Sequence, residues 1–462
     1  MTQTSSNHKE SQKPVLTMMK GWGRTSPTAA QLVPMSVAKD AIKDGGGASA
    51  RGVIARGLGR SYGDCAQNGG GLVADGPSQS GIIEADLESG AVRASAGTSL
   101  DDLMRWFVPL GFFVPVTPGT RFVTVGGAIA ADVHGKNHHV AGSWGNHVLS
   151  MRLIDGLGNL RELSPTQDPE LFWATTGGMG LTGLITGARI RMRTIETSRL
   201  RVDTMRAEGL DDLIAAMYEA DSTHRYSVAW VDTLARGKKL GRSVLTVGDF
   251  ASVDDLPVKQ RSNPLSYDPT SPLGAPKVMP EFALNRWSVA AFNEMWFRKA
   301  PKRRVDELQS IATFFHPLDG VNDWNYIYGR RGFLQYQVIV PDGHEDVLRR
   351  LLEQFADSRS PVFLAVLKRF GPEGPSPITF ALKGWTLALD IPTDVPGLSA
   401  LLDGMDEDVA AAGGRIYLTK DSRMSPETFR AMYPKAKDFG RVRDRVDPER
   451  KFRSDLSERL GL

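Results

Sequence analysis

Length, composition and charge narrow the class of protein before any motif is considered. The chain has 462 residues and 41% hydrophobic content, enough for two or three domains. Its 56 basic and 53 acidic residues leave a net charge of +3, which excludes a broadly basic nucleic-acid-binding surface. The single cysteine, Cys65, excludes an internal disulfide framework and a cysteine-based metal cluster. Redox chemistry would therefore require a bound cofactor.

No apolar run reaches the roughly 18 residues that a transmembrane helix needs, and the N-terminal segment lacks the apolar centre of a signal peptide. We therefore expect a cytoplasmic protein or one bound peripherally at the plasma membrane, on either side of it. Residues 1–16 are polar and unpatterned, which predicts a disordered tail.

Short strand patterns alternate with glycine turns from residue 17 to 196, which predicts a first domain rich in β-structure. One helix is predicted there, with Ser99 as its N-cap. Its buried face is expected to carry Leu103, Trp106, Phe107 and Leu110.

Longer elements follow from residue 197 to 414, which predicts a second domain built on a mixed sheet backed by helices. Helical periodicity occurs at 210–219, 305–314 and 347–355, and strand patterns occur at 333–340, 362–367 and 385–391. The segment 257–280, rich in Pro, Ser and Lys, is predicted to be a mobile lid or insertion. A strand at 415–419 begins the final part of the chain, 415–462.

The first glycine-rich stretch, 55–64, follows a predicted strand and has the sequence ARGLGRSYGD. Its three glycines permit positive φ angles, so successive backbone N–H groups can point into one concavity and bind phosphate oxygens. Arg56 or Arg60 would add positive charge. The spacing is neither that of a Rossmann fingerprint nor that of a P-loop, and a glycine-rich hairpin is the alternative interpretation.

The second glycine-rich stretch, 118–139, places Thr124 before a run of very small residues. Thr124 is predicted to cap a short helix whose free N–H groups would suit a pyrophosphate, and tight helix packing is the alternative. Two anion-binding loops about 60 residues apart, neither of Rossmann type, together favour a dinucleotide site.

Four of the eight histidines follow closely, within 134–147. A metal site is one interpretation. We favour histidines that pack a loop against a cofactor through hydrogen bonds, because no acidic or cysteine partner stands at helical ligand spacing and Gly135 interrupts any helix.

These segments together resemble the vanillyl-alcohol-oxidase type of FAD-dependent oxidases. The likeness runs from about Gly21 to the end of the chain, and the matching segments are 21–24, 56–64, 134–139, 171–174, 333–337 and 420–423. The resemblance implies an α+β fold of two domains. The PCMH-type FAD-binding domain would comprise 17–196 and 415–462, and an inserted mixed-sheet domain, 197–414, would bind the substrate.

The resemblance also implies how FAD is held. Several members of the family attach the flavin to a histidine at the position of Arg60, and since arginine cannot form that bond, we expect non-covalent FAD. The residues expected around it are Arg56, Gly57, Leu58, Gly59, Arg60, Ser61, Tyr62, Gly63, Asp64, Gly119, Thr124, Val125, Gly126, Gly127, Ala131, Asp132, Val133, His134, Ile185 and Tyr417.

Within the family, the chain is most similar to the branch that oxidises polyprenylphosphoryl ribose. This implies a ribose lipid as substrate and oxidation of its C2 hydroxyl to a ketone. It also implies a partner, an NAD(P)H-dependent short-chain ketoreductase, that completes an epimerisation towards the arabinose donor of cell-wall arabinan. The residues expected on the substrate side are Tyr62, Lys136, Trp230, Gln335, Gln337, Lys368 and Lys420.

Lys420 is predicted to polarise the reacting hydroxyl or to stabilise negative charge on the flavin. Tyr62 is the alternative base, although its unperturbed pKa of about 10 would need to be lowered. Lys136 or Lys368 would suit the substrate phosphate. The chain departs from the branch at two pocket positions, with Thr386 in place of Asn and Ala388 in place of Cys.

Three alternatives stay open. An aldonolactone or alditol oxidase on the same scaffold is the nearest one. A non-catalytic protein that keeps the nucleotide site is another, although Tyr62 and Lys420 argue against it. The stretch 292–304 combines aromatic residues with five cations, which indicates either contact with an anionic membrane surface or an ordinary solvated helix end.

Overall fold

The structure is a computed structural model that describes residues 14–43, 51–270, 273–275 and 285–462. The predicted tail lies outside the described residues up to residue 13. Its last residues are corrected, because Val15 and Leu16 already belong to the first strand, β1, Val15–Met19. Pairing with the second strand supplies the backbone hydrogen bonds that a disordered tail would lack.

The N-terminal part of the chain is built on two sheets and short helices. Its strands after β1 are β2 Thr28–Pro34, β3 Val53–Arg56, β4 Leu72–Asp75, β5 Ile82–Asp86, β6 Ala91–Ser95, β7 Phe112–Phe113, β8 Val148–Ile154, β9 Leu160–Leu163, β10 Leu184–Arg191 and β11 Arg193–Thr194. Its helices are α1 Met35–Lys43, α2 Leu100–Phe107, α3 Val125–Ala130, α4 His138–Ala141 and α5 Pro169–Thr175. One sheet has the order β1-β2-β4-β3, and the other, antiparallel throughout, has the order β5-β6-β10-β8-β9.

The second part is built on one eight-stranded sheet of order β16-β12-β14-β13-β19-β20-β18-β21. The strands of this part are β12 Arg199–Ala207, β13 Tyr226–Val231, β14 Ser243–Phe250, β15 Leu273–Gly274, β16 Arg303–Ser310, β17 Val321–Asn322, β18 Phe333–Pro341, β19 Leu364–Phe370, β20 Gly384–Pro392 and β21 Arg415–Ile416. Its helices are α6 Leu210–Thr223, α7 Val258–Arg261, α8 Arg286–Lys299, α9 Ile311–Phe315, α10 Glu345–Ser358 and α11 Leu398–Ala411. Three helices complete the chain, α12 Pro426–Met432, α13 Ala436–Val446 and α14 Asp455–Leu460.

The α+β class is confirmed, but the large sheet is not mixed. Every neighbouring pair of its strands is antiparallel. The helix α6 connects β12 to β13, and α10 connects β18 to β19; in each case an antiparallel strand, β14 or β20, lies between the two. The strand–helix–strand pattern of the sequence predicts two adjacent parallel strands. It does not reveal that a later strand, β14 or β20, pairs between them. The boundary at residue 414 stays a prediction, since β21 beyond it pairs with β18.

The large sheet buries one face under helices and keeps the other open to the candidate site. Tyr336, Leu387 and Leu389 are at most 4% exposed and belong to the main core, to which α10 and α11 also contribute. Residues that alternate with them along the strands point to the opposite face. That face meets the N-terminal part, where Gln337 bonds His134.

Two local predictions are wrong for identifiable reasons. Residues 305–314 form β16 and then α9, because β12 offers its edge for pairing. The cap at Ser99 is confirmed by its bond from the Asp102 N–H, but Trp106 is 67% exposed because the buried stripe runs through the i, i+3, i+4 positions beside it. In the segment 257–280, the Pro264 carbonyl accepts from the Ser198 N–H, much of 271–280 lies outside the described residues, and the mobile lid or insertion stays a prediction.

Leu110, predicted on the same helix face as Trp106, is 51% exposed and lies beyond the end of α2. The predicted strand at 415–419 covers only Arg415–Ile416, because Tyr417 and the residues after it turn towards Lys420. No helix in the described ranges combines the length and apolarity required to cross a membrane.

Candidate active site

The first glycine-rich loop offers backbone donors that the protein itself does not use. In the described part of the chain, the N–H groups of Leu58, Gly59, Arg60 and Ser61 have no protein acceptor, whereas the next one, on Tyr62, donates to the Thr419 carbonyl at 3.0 Å. Gly59 has a φ of +68°, which turns successive amides towards one side. The loop therefore has the donor set that phosphate oxygens require.

The second glycine-rich stretch closes on the first. A Cβ on Gly57 would lie 2.5 Å from Thr124 Oγ1, so only glycine permits this contact. Thr124 caps α3 as predicted, accepting from the Gly127 N–H at 3.1 Å.

The expectation that this helix start offers free N–H groups is wrong. Val125 N–H donates to Thr98 O and Gly126 N–H donates to Ala96 O, both at 2.8 Å, and the Gly127 N–H is taken by the cap. Since these donors are satisfied by the protein, the phosphate-binding capacity lies in the first loop.

The charged residues of the first loop hold it in place. Arg56 donates to the carbonyls of Lys20 and Ala66, at 2.7 and 3.1 Å. The Arg60 guanidinium lies 3.8 Å from the centroid of the Trp22 ring. Asp64 accepts both arms of Arg459, on α14, at 3.0 and 2.9 Å. Arg56 thus holds the loop through two backbone carbonyls, and its supply of charge to a phosphate stays a prediction.

The histidines after α3 are bound by hydrogen bonds, as the sequence suggested. His138 accepts from the Gly371 N–H at 3.1 Å, His139 lies 3.0 Å from the His224 carbonyl, and His147 lies 2.9 Å from the Ala141 carbonyl. In the ranges that the structure describes, no three His, Cys, Asp or Glu side chains converge as metal ligands would.

His134 has one nitrogen that the protein leaves without a partner. Its Nε2 accepts from the Gln337 amide at 2.9 Å, and that amide also reaches Thr386 Oγ1 at 3.1 Å. With Nε2 as the acceptor, the proton lies on Nδ1, which is buried and has no partner. Burial and the nearby Lys368 ammonium hold the pKa of His134 well below its usual range, so the ring is neutral.

The open face of the large sheet gathers most of the predicted substrate residues. Residues paired directly across an antiparallel sheet share a face, and so do residues two apart on a strand. This rule places on one face the residues Gln335, Gln337, Thr386, Ala388, Asp390, Lys368, Val366, Leu364 and Trp230.

Lys420 lies against this face from the C-terminal side. Its Nζ is 3.8 Å from the centroid of the Tyr62 ring. Burial lowers the pKa of Lys420 to about 7, the Asp390 carboxylate opposes that shift, and Lys368 adds to it. Burial, together with Asp390, raises the pKa of the Tyr62 phenol well above 10. Of the two predicted bases, only Lys420 can exchange a proton near neutral pH.

Two further lysines lie near His134. Burial lowers the pKa of Lys136 to about 7 and that of Lys368 to about 8, with Lys368 contributing to the shift of Lys136. Lys136 donates to the Phe314 carbonyl and lies 4.3 Å from the Phe314 ring centroid. The open face of the sheet therefore gathers cations beside the buried carboxylate of Asp390.

Two of the remaining predicted FAD residues, Tyr417 and Asp132, are held by hydrogen bonds to the backbone. Tyr417 donates to the Ala131 carbonyl at 2.7 Å and its ring lies 5.4 Å from that of His134. Asp132 accepts from the Gly145 N–H at 3.0 Å. The other remaining residues have no polar side chain. Gly63, Val133 and Ile185 are buried, and Gly119 has open space where a Cβ would stand.

Comparison with known proteins places this geometry in a family. Residues 47–164 match the FAD binding domain, and residues 391–460 match D-arabinono-1,4-lactone oxidase. Decaprenylphosphoryl-β-D-ribose oxidase of Mycolicibacterium smegmatis is 43% identical over 449 residues, which cover 96% of this chain and 97% of that protein. The chain belongs to this oxidase family. An uncharacterised protein from the mprA 5′ region of Streptomyces coelicolor is 41% identical over 79% of this chain and its own full length.

Membership of this oxidase family makes the chain an FAD-dependent oxidoreductase. The residues present fit that cofactor, because four backbone donors in the first loop and Nδ1 of His134 lack protein partners. A more distant relative, cytokinin dehydrogenase 8 of rice, is 32% identical over only 98 residues.

One residue escaped the sequence reasoning. Asp390 is fully buried in β20, accepts from the Gln335 amide at 2.6 Å through Oδ1, and lies near the Tyr328 hydroxyl. Burial raises the pKa of its carboxyl to about 7. A carboxylate inside the apolar run WTLALDIP is the signal that could have found it.

Proposed function

We propose that this chain oxidises the C2 hydroxyl of the ribose in a polyprenylphosphoryl ribose such as decaprenylphosphoryl-β-D-ribose, giving the 2-keto lipid. The observation that carries the proposal is the convergence of Lys420, Lys368 and the Gln337–His134 pair on one sheet face. The relative from Mycolicibacterium smegmatis, named for this substrate, supports the choice of lipid.

The proton of the C2 hydroxyl passes to Lys420 in its neutral form. A lysine whose pKa is about 7 is neutral in about half of the molecules at neutral pH, which suits a general base. When bound, FAD supplies the acceptor for the hydride that leaves C2. The O–H and C2–H bonds break, the carbonyl forms, and Tyr62 holds the ammonium that results against its ring face.

Lys136 and Lys368 bind the phosphodiester. Their buried positions strengthen the attraction for an anion, since the local dielectric is low. Trp230, which shares the face of Lys368 through the pairing with Val366, covers the sugar. Gln335 and Gln337 orient the remaining hydroxyls by hydrogen bonds.

The product of this reaction is a ketone that a second enzyme has to reduce. We place an NAD(P)H-dependent short-chain ketoreductase there, completing the epimerisation to the arabinose donor of cell-wall arabinan. Because the substrate is a lipid, the enzyme works in peripheral contact with a membrane. The exposed aromatic residues of α8, with Trp287 71% and Trp296 42% exposed, support contact on that side.

An aldonolactone oxidase is the second candidate, favoured by the match of residues 391–460 to D-arabinono-1,4-lactone oxidase. That match covers Lys420, which would act as the base in either reaction. A lactone substrate carries no phosphate and would leave Lys136 and Lys368 without a ligand.

Anaerobic titration of the holoenzyme distinguishes the two. Loss of the flavin absorbance on addition of decaprenylphosphoryl ribose, but not of aldonolactones or alditols, is expected. Loss only with lactones or alditols would refute the proposal.

A further inference from the structure

A satellite cluster of aromatic side chains extends away from the candidate active site. It is separate from the main core and is centred on Trp324, Tyr328 and Phe333. Tyr62 packs edge-on against Phe333 with ring centroids 5.5 Å apart, and Phe333 stacks on Tyr328 at 4.1 Å. The cluster therefore begins at the ring that supports Lys420.

Three further rings continue the cluster to the surface. The centroid of Tyr328 lies 6.5 Å from that of Phe363, which lies 5.0 Å from that of Phe292 on α8. Phe292 stacks on Trp296 at 6.0 Å with an interplanar angle of 17°. Phe363 and Phe292 are partly exposed and Trp296 is 42% exposed, so these rings offer aromatic surface to a ligand.

The open face of β19 leads into these rings from the phosphate side of the site. Lys368, Val366 and Leu364 follow one another on that face, each partly exposed, and Leu364 is joined directly to Phe363. Positions two apart on a strand are about 7 Å apart, so these three residues lead from the ammonium to the start of β19, where Phe363 contacts the rings of Tyr328 and Phe292.

We propose that this apolar row, formed by Val366, Leu364, Phe363, Phe292 and Trp296, binds successive isoprene units of the substrate's hydrocarbon chain, with Trp296 at the end farthest from the phosphate. The inference rests on the proposed function. A polyprenyl chain leaves its sugar through the phosphate, and with the phosphate at Lys368 the chain has to follow a surface that begins there. Apolar surface that is contiguous with a polar site and open to solvent is what such a chain binds.

The row explains how one site can favour a long lipid over a free sugar phosphate. Burying apolar area contributes about 25 cal/mol per Å², so each ring that covers part of the chain adds affinity that a short-chain analogue does not receive. The discrimination therefore lies in the row and not in the groups that act on the ribose.

The test compares ribosyl lipid phosphates with ten and with two isoprene units in anaerobic flavin reduction. For Trp296→Ser, the ratio of kcat/KM for the long lipid to that for the short one is expected to fall about tenfold, equivalent to about 1.4 kcal/mol. The matched control is Trp106→Ser, because Trp106 is 67% exposed on α2 and outside the row. The control should keep the wild-type ratio.

Phe292→Leu is the second variant, and decaprenyl monophosphate, which carries no ribose, is the second probe. The Kd of this probe should rise in both row variants, measured on folded holoenzyme with unchanged thermal unfolding. A ratio and a Kd that stay at wild-type values would overturn the chain site. If neither lipid reduces the wild-type flavin, the proposed function itself fails, and a wild-type ratio near one with both lipids active refutes only the row.

Discussion

Lys420 places its ammonium nitrogen 3.8 Å from the centroid of the Tyr62 ring, between the flavin loop and the sheet that carries the substrate residues. A second interaction connects the same two segments, because the Tyr62 N–H donates to the carbonyl of Thr419, the residue before Lys420. A backbone hydrogen bond and the contact between Lys420 and the Tyr62 ring thus connect the loop that offers phosphate donors to the turn that carries the base.

Lys420→Met should retain FAD and lose flavin reduction by about 10² to 10⁴-fold, the usual contribution of a general base. Stopped-flow reduction under anaerobic conditions measures the rate, and the flavin-to-protein absorbance ratio measures the cofactor. Lys437→Met, at an exposed position on α13, is the matched control and should reduce its flavin at the wild-type rate. Full activity in Lys420→Met would remove this residue from the mechanism.

Tyr62→Phe should keep most of the reduction rate, because a phenol whose pKa is raised well above 10 stays protonated at neutral pH and is no base. The ring face under Lys420 is preserved in this variant. Tyr62→Ala removes the ring and should slow reduction more. Equal, large losses in both variants would instead indicate that the phenol takes the proton.

Asp390→Asn should move the pH dependence of flavin reduction to lower pH. In its charged form, the Asp390 carboxylate raises the pKa of Lys420, against the burial that lowers it, so removing the negative charge lets the pKa of Lys420 fall further. As a base, Lys420 is active above its pKa, and the rising limb of the rate profile should shift to the acid side.

Two other titratable groups act on the pKa of Lys420: Lys368 lowers it and Cys65 raises it. The Tyr62 ring lies against the Lys420 ammonium. Asp394→Asn, at an exposed position after β20, is the control for the loss of one carboxylate. A slower reaction in Asp390→Asn with an unmoved rising limb would mean that Asp390 only supports the fold through Gln335.

Gly57→Ala should weaken FAD binding and lower the thermal unfolding midpoint. The new Cβ would meet Thr124 Oγ1 at 2.5 Å, and relieving such overpacking costs about 1 to 3 kcal/mol. Gly440→Ala on α13 is the control, since nothing stands within 4 Å of its Cβ position. Flavin content after gel filtration and a thermal melt report the two effects, and unchanged values would show that the two loops can separate.

Local chemistry was predictable from the sequence where it depends on neighbouring residues. The side chains of Ser99 and Thr124 each accept from the N–H of the residue three positions later in the chain. Such a cap depends on local sequence and can be predicted from it. Donor use at α3 was not predictable, because the acceptors, Ala96 and Thr98, belong to a distant turn.

The substrate face shows the same division. Lys420 and the glutamines matched motifs of the family, but the partner of Gln335 depends on strand register, which sets Asp390 opposite it. The strand β14 pairs between β12 and β13, and β20 pairs between β19 and β18. These are long-range contacts, which the hydrophobic periodicity of a single segment cannot predict.

The arginine at position 60, stacked on Trp22, also decides how the cofactor and the fold depend on each other. With no histidine there to form a bond, we expect FAD to bind non-covalently, and its binding free energy then adds to the stability of the folded chain by mass action. At a free FAD concentration 100 times the Kd, that contribution is about 2.7 kcal/mol, and it vanishes on dilution. We therefore expect the midpoint of thermal unfolding to rise with the concentration of free FAD.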